Sequence, residues 1–286
     1  MNGISRGLSV GTLLLVAGSA AAQSPAWEKN YDLSGPPSVE LMTSDSSLTV
    51  KSCGDCRKIH VRIDMEGAKL SDYRVEEYQN GNSVHFSLTE RNHAMFHMGW
   101  HSTSVKVLVE TPAELTLTAR TSDGSLSVSG LHGDLNMQTS DGSQELDGLA
   151  GSVRARSSDG ALKVRGGSGR LEARSADGSL DVSGGFEAVE LSSSDGSVKV
   201  ELLKGLSGAS HIESRDGSVT LRVPKGLAAE LDVKTHDGSI SSDLPLMTNG
   251  YDSHGDSGHS VHGTMNGGGP LLSIRSSDGS VRLGTS

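Results

Sequence analysis

A short Asp-Gly motif returns along this chain at a regular spacing, and no other feature limits its fold as strongly. The first five copies, Asp123, Asp141, Asp159, Asp177 and Asp195, are evenly spaced. The steps to Asp216 and Asp237 are slightly longer, and the last copy, Asp278, follows a long insertion. A period of roughly 20 residues is typical of repeat architectures, in which each unit is too small to bury its own apolar face and stacks on its neighbours.

Apolar residues alternate on both sides of each aspartate. Around Asp177, Leu171 and Ala173 precede the motif, and Leu180 and Val182 follow it. Alternation with a period of two indicates strands. Each repeat is therefore predicted to hold two short strands, with one turn at Asp-Gly and a second at a Gly-rich stretch. The predicted fold is an all-β, parallel β-solenoid (β-helix) with coils of roughly 18 to 21 residues, in the range of known repeat units.

The charges at outward positions favour parallel stacking in register. At the fourth position after the aspartate, Glu145, Lys163, Asp181 and Lys199 alternate in sign from one repeat to the next. Stacked coils place equivalent residues about 4.8 Å apart, where opposite charges attract. A hairpin meander would not bring these side chains together.

Two further columns belong to the turn itself. A Ser or Thr stands two positions before every aspartate, as at Ser175, and its parity with the apolar residues predicts that it faces inward and bonds to turn backbone. The aspartates are interpreted as turn residues whose following Gly adopts a positive φ. The alternative is calcium bound between stacked carboxylates, but the Gly-Gly-x-Gly-x-Asp spacing of calcium-binding rolls is missing.

The composition divides the chain into three parts. Residues 1–22 have the positive start, short apolar stretch and Ala-Ala-Ala cleavage site of a signal peptide. Residues 23–112 are predicted to form an N-terminal β cap and first coil, because seven of the nine aromatic residues precede residue 101. Residues 113–286 are predicted to form the repeat β-solenoid, with a Gly/His-rich insertion at 243–270.

Within the cap, two local patterns are informative. The segment from Thr43 to Val50 repeats the motif once, with Ser46 in place of the glycine. Two alternating segments flank Asn80-Gly81-Asn82, which is a strong hairpin signal. Longer strands that carry aromatic side chains are suited to cover one end of a thin stack.

Charge and motifs exclude several classes of protein. The formal net charge of −10 argues against nucleic-acid binding, which needs a basic surface. No segment of the mature chain is long and apolar enough to span a membrane, so we expect an exported protein that is periplasmic or extracellular, at the cell surface. Catalytic motifs such as G-x-S-x-G or H-E-x-x-H are missing, so neither an enzyme nor a cofactor is expected.

Two groups of residues could carry redox or metal chemistry. Cys53 and Cys56 are the only cysteines, and in an exported chain they are expected to form a disulfide, with a redox or metal site as the alternative. Imidazole and thioether groups, which suit copper, alternate in one short segment. This candidate metal site consists of His93, Met95, His97, Met98 and His101. A second set, His254, His259 and His262, lies in the Gly-rich insertion, where solvated loop histidines are the simpler interpretation.

The repeats resemble the bacterial putative adhesin domain family, a domain of unknown function. The resemblance rests on the Ser-Ser-Asp-Gly-Ser-Leu type of repeat, the Val223-Pro224-Lys225-Gly226 turn, and the closing segment from Gly267 to Val281, and it covers roughly residues 39–286. It implies an exported parallel β-solenoid at the cell envelope and transfers no catalytic residues. The Cys-x-x-Cys turn and the His/Met segment are not part of the resemblance.

These observations predict a non-enzymatic binding or structural module, adhesin-like, whose partner is an unidentified envelope, surface or protein ligand. A periplasmic copper-type metal-binding protein that uses the histidine clusters is the alternative. A solenoid enzyme acting on polysaccharide is the third interpretation.

Overall fold

The computed structural model describes residues 25–91, 103–245, 247–252 and 259–286. These residues form 23 β-strands and one short 3₁₀ helix, Leu70–Asp72, and no α-helix is present in these ranges. All strands belong to one mostly parallel sheet that nearly closes on itself in a barrel-like form. The all-β fold is confirmed.

The strands of the N-terminal part are β1 Trp27–Asp32, β2 Ser38–Thr43, β3 Ser47–Ser52, β4 Lys58–Glu66, β5 Tyr73–Asn80, β6 Ser83–Glu90 and β7 Ser104–Thr111. The regular repeats hold β8 Glu114–Thr121, β9 Leu126–Ser129, β10 His132–Thr139, β11 Gln144–Asp147, β12 Ala150–Ser157, β13 Leu162–Ser175, β14 Leu180–Ser193, β15 Val198–Leu202, β16 Ser210–Ser214 and β17 Val219–Val223. The remaining strands are β18 Ala229–Thr235, β19 Ile240–Ser242, β20 Met247–Asp252, β21 His259–Met265, β22 Leu271–Ser276 and β23 Val281–Thr285.

Equivalent strands of successive repeats pair side by side. Leu117 lies opposite Leu135, and Leu135 opposite Val153, so the parallel register follows the period of the motif. Between β14 and β16 the step lengthens as the motif spacing does, since Leu191 lies opposite Ile212. The predicted outward row is also observed, because Glu145, Lys163, Asp181 and Lys199 are successive register partners.

The last repeat in the sequence lies inside the stack. Strands β22 and β23 pair with β16 and β17 on one side and with β18 and β19 on the other. The Asp237 repeat therefore does not stack directly on the Asp216 repeat, although it follows it in the sequence. The other edge of β18 is covered by β21, which pairs antiparallel to it, so the Asp278 repeat fills the remaining side of β18.

The interior consists of apolar columns that run along the stack. One column contains Leu126, Gln144, Leu162, Leu180, Val198, Val219 and Val281, each buried and each a register partner of the next. Gln144 is the one polar member. Its Nε2 donates to Thr139 Oγ1 at 3.0 Å and to the Arg156 carbonyl at 2.5 Å, while its Oε1 has no partner.

The expectation that the glycine of the Asp-Gly turn adopts a positive φ is wrong. Glycine is required there because the backbone of the adjacent repeat leaves no room for a side chain. Gly178 does not have a left-handed φ. A Cβ at Gly178 would lie 2.1 Å from the carbonyl oxygen of Gly160, in the preceding repeat. The positive φ values occur instead in the second, Gly-rich turn, as at Gly148 (61°) and Gly166 (55°).

The hydroxyl column faces inward, as predicted. Its members are buried at the Asp-Gly corner. Ser175 Oγ donates to the Ser158 carbonyl at 3.4 Å, and Thr235 Oγ1 donates to the Gly279 carbonyl at 3.1 Å. These hydroxyls thus bond to turn backbone of the adjacent repeat, and this satisfies polar groups that would otherwise be buried without partners.

At the N-terminal end, side chains join β1 and β5. Tyr31 donates to Glu77 Oε2 at 3.2 Å, Lys29 pairs with the same carboxylate, and Gln79 Nε2 donates to the Asp32 carbonyl at 2.7 Å. Burial and the Glu77 charge raise the pKa of Tyr31 above its ordinary value, so its hydroxyl stays protonated as a donor. These contacts close the cap end of the sheet.

Candidate functional site

Several residues of the sequence-predicted sites lie outside the described residues. They are the signal peptide, the candidate copper ligands His93, Met95, His97, Met98 and His101, and residue 254. In the sequence, the candidate copper ligands lie between the segments that form β6 and β7. Copper binding therefore stays a prediction.

The second histidine set is partly described. His259 and His262 lie on β21, and His262 Nδ1 is 3.0 Å from Asp232 Oδ1. Arg275 Nη2 also pairs with the other carboxylate oxygen of Asp232, Oδ2. Within the described ranges, no group of three His, Cys, Asp or Glu side chains is arranged to hold a metal ion.

Cys53 and Cys56 form the predicted disulfide. It closes the turn between β3 and β4, where the Cys53 N–H donates to the Thr111 carbonyl at 2.9 Å. A cleft of about 330 Å³ lies beside this turn. It is lined by Leu33, Ser34, Gly35, Pro36, Cys56, Arg57, Pro112 and Glu114.

The aspartates of the repeats form one exposed row along the Asp-Gly corner. Their backbone N–H groups donate to carbonyls of the adjacent repeat, as from Asp177 to Ser158 at 2.9 Å and from Asp195 to Ala176 at 3.0 Å. The turn role predicted for the aspartates agrees with these bonds. Exposed or half-exposed residues flank the row on both sides. Most of them are polar, such as Ser158 and Ser179, and Ala161 and Ala176 are exceptions.

A band of alternating charges crosses the middle of the stack. Glu172, whose carboxylate is more buried than that of Glu190, pairs with Arg156 at 2.7 Å and with Arg174 at 3.2 Å. Arg174 also bonds Glu190 at 2.7 Å. Because these guanidinium groups are already neutralised by carboxylates, the band does not present an unpaired basic surface.

A further surface on the cap combines an aromatic ring with polar groups. We name it the Tyr78 face, and it consists of Tyr78, His85, Glu40, Arg120 and Met42. The rings of Tyr78 and His85 are stacked, with centroids 4.8 Å apart and an interplanar angle of 16°. His85 Nδ1 lies 3.1 Å from Glu40 Oε2, and Arg120 Nη1 donates to Glu40 Oε1 at 3.2 Å.

The hairpin signal in the sequence locates only part of this face. Asn80 and Ser83 are register partners across the turn, so Tyr78 must lie opposite His85. The pairing of β6 with β2 and of β2 with β8 has no such local signal, because those strands are far apart in the chain. Glu40 and Arg120 could therefore not be placed beside the two rings.

Comparison with known proteins identifies the family. The model of the Toastrack DUF4097 family matches residues 38–284, and the chain belongs to this family. No curated protein matches the chain. In the part of the chain that the structure describes, no helix is long and apolar enough to cross a membrane.

Two solved structures resemble the chain at low sequence identity. One is a putative cell adhesion protein from Clostridium sporogenes, with 10% identity, a TM-score of 0.27, and coverage of 92% of this chain and 100% of the other. The second is a putative adhesin from Bacteroides fragilis, with 9% identity, a TM-score of 0.36, and coverage of 91% and 96%. At these TM-scores neither structure assigns a function to this chain.

Proposed function

We propose that this protein is an exported, non-enzymatic, adhesin-like binding module of the bacterial cell envelope. In this proposal the repeats are the successive coils of a β-solenoid, and the protein acts through its outer surfaces. The periplasm or the cell surface is its proposed location, reached through the signal peptide of residues 1–22.

The observation that supports this proposal most is the division between a filled interior and an ordered exterior. The inward columns are occupied by apolar side chains such as Leu162 and Val164, which are at most 1% exposed. A filled interior has no room for a substrate, so recognition falls to the rows of side chains outside. The sequence resemblance of the repeats to the bacterial putative adhesin domain family also favours this class of function.

Capture from envelope fractions tests the proposed function. The purified protein, immobilised through its C-terminus, is incubated with outer-membrane, periplasmic and cytoplasmic fractions of a bacterial host. We expect saturable retention of envelope material and none of cytoplasmic material. Equal retention from all fractions, or hydrolysis of envelope polysaccharide by the protein, would contradict a non-enzymatic envelope module.

A further inference from the structure

We propose that the Tyr78 face binds a neutral oligosaccharide. This inference rests on the proposed function, because it names the ligand class and the surface for such a binding module. Three properties of the face carry it: a fixed exposed aromatic ring, a line of polar groups with spare hydrogen-bonding capacity, and a balance of charge.

The aromatic ring is exposed and held in place. Tyr78 is 58% exposed, and no other described aromatic side chain is classed as exposed. It lies on β5, which pairs with β6 alone among the described strands, and the His85 ring supports it from β6. The apolar C–H face of a sugar ring can stack on such a surface, and little conformational entropy is lost because the ring is already ordered.

The polar groups continue from the ring across the sheet. Register places Tyr78 opposite His85 and His85 opposite Glu40, and Arg120 reaches Glu40 from β8. From β5 to β8 there are three strand spacings, about 14 Å in total. Glu40 keeps acceptor positions and Arg120 keeps most of its five N–H donors, so both can bond adjacent sugar hydroxyls.

The charges on this face cancel, which selects the class of saccharide. Glu40 is paired with Arg120, and Arg74 lies 3.7 Å from Glu76 on the same side of β5. A polyanion would find no unpaired cation among these described residues, and a polycation no unpaired carboxylate. A hydroxyl-rich neutral ligand can use donors and acceptors of both kinds.

The stacking of Tyr78 on His85 also has a purely structural explanation, because cross-strand aromatic pairs stabilise hairpins. Binding separates the two roles. Cellohexaose, maltohexaose and chitohexaose serve as neutral probes, and an alginate hexasaccharide serves as the charged probe, each titrated calorimetrically against the full chain. We expect the protein to bind at least one neutral probe and to bind the alginate probe more weakly.

Variants then locate the site. Tyr78→Ala is expected to weaken binding of the neutral probe at least about tenfold, or about 1.4 kcal/mol, because the apolar face of the sugar loses the ring on which it packs. Tyr78→Phe keeps the ring and should bind within about threefold of the wild type. Leu203→Ala removes an exposed apolar side chain outside the Tyr78 face and is the matched control.

Three results would overturn the inference: no binding of any neutral probe, stronger binding of alginate, or equal affinity of Tyr78→Ala and the wild type. Native circular dichroism of Tyr78→Ala checks that a loss of binding is not a loss of fold. The two proposals fail separately. If Tyr78→Ala still captures envelope fractions while no neutral probe binds, the envelope function stands and the saccharide site does not.

Discussion

At the scale of single residues, the repeat is fixed by contacts between backbones. The turn glycines stack closely, so that a Cβ at Gly217 would lie 2.1 Å from the carbonyl oxygen of Gly196 in the neighbouring repeat. Ser46 takes the glycine position at the start of this row, and its own carbonyl lies where a Cβ of Gly124 would be placed. A side chain is therefore tolerated at Ser46, because no turn glycine of another Asp-Gly repeat precedes it in the stack.

Gly178→Ala tests this explanation. The added Cβ would lie 2.1 Å from the Gly160 carbonyl oxygen, so the two repeats must move apart. We expect the free energy of unfolding to fall by about 3 kcal/mol or more. Gly226→Ala is the matched control, because a Cβ there meets nothing within 4 Å, and it should change stability by no more than about 0.5 kcal/mol. Urea titration of both variants measures the difference, and equal stabilities would contradict the steric explanation.

Gln144→Leu should stabilise the protein. Gln144 is 1% exposed in a column of Leu and Val, and its Oε1 atom has no hydrogen-bond partner. Leucine removes this orphaned acceptor and continues the apolar column, although the Arg156 carbonyl loses a donor. We expect a net gain of about 1 kcal/mol in the free energy of unfolding. A loss of similar size in thermal or urea unfolding would show that the two bonds of Nε2 outweigh the orphaned oxygen.

At the scale of strands, some elements could be read from the sequence and others could not. The alternation around Asp177 predicts the inward and outward sides of β13 and β14, because the side-chain period of a strand is two. The position of β22 between β16 and β18 could not be predicted, because the repeats are nearly alike and their register does not encode stack order. The Tyr78 face could not be predicted for a related reason: it joins strands that are distant in the chain.

Leu180 and Asp181 provide a comparison within one strand. Leu180 is fully buried between Leu162 and Val198. Leu180→Ala should lower the free energy of unfolding by about 2 to 5 kcal/mol, because the neighbouring side chains fill the resulting cavity only partly. Asp181 points outward between Lys163 and Lys199, and Asp181→Ala should cost no more than about 1 kcal/mol. Chemical denaturation ranks the two variants, and the reverse order would contradict the assigned sides of β14.

The contacts of Glu110 in the N-terminal part should make the stability of the fold depend on pH. Glu110 on β7 bonds Lys51 at 2.8 Å and lies 3.5 Å from His60, and the Lys51 hydrogen bond holds the pKa of Glu110 below its ordinary value. A carboxyl with a lowered folded-state pKa stabilises the fold above its unfolded-state pKa, and this contribution is lost as the pH falls through the folded-state pKa. Glu110→Gln should therefore lose less stability than the wild type between about pH 5 and pH 3.

Thermal unfolding across this pH range measures the effect. Glu66→Gln, at the exposed end of β4, is the control and should follow the wild-type profile. Parallel profiles of Glu110→Gln and the wild type would show that the Lys51 contact does not contribute to stability at neutral pH.

At the scale of the whole molecule, one core joins the cap to the last repeat. Buried apolar residues form a single cluster that reaches from Tyr31 to Leu283. In such a stack each repeat contacts only its neighbours, so stability is close to a sum of repeat and interface contributions. The order of repeats in space therefore decides which parts lose support when one repeat is removed.

Removal of residues 271–286 tests that order. This deletion takes β22 and β23 from between β16–β17 and β18–β19, so the Asp237 repeat loses its parallel neighbours and keeps only the antiparallel partner β21. We expect amide hydrogen exchange in β18 and β19 to rise to the level of locally unfolded segments, because little apolar contact then holds them to the stack. Strands β8 to β14 should keep their protection, since their neighbours are unchanged. If β19, which pairs with β23 among the described strands, stays protected together with β18 after the deletion, the Asp237 repeat must be able to stack directly on the Asp216 repeat, and the observed order would not be required by the sequence.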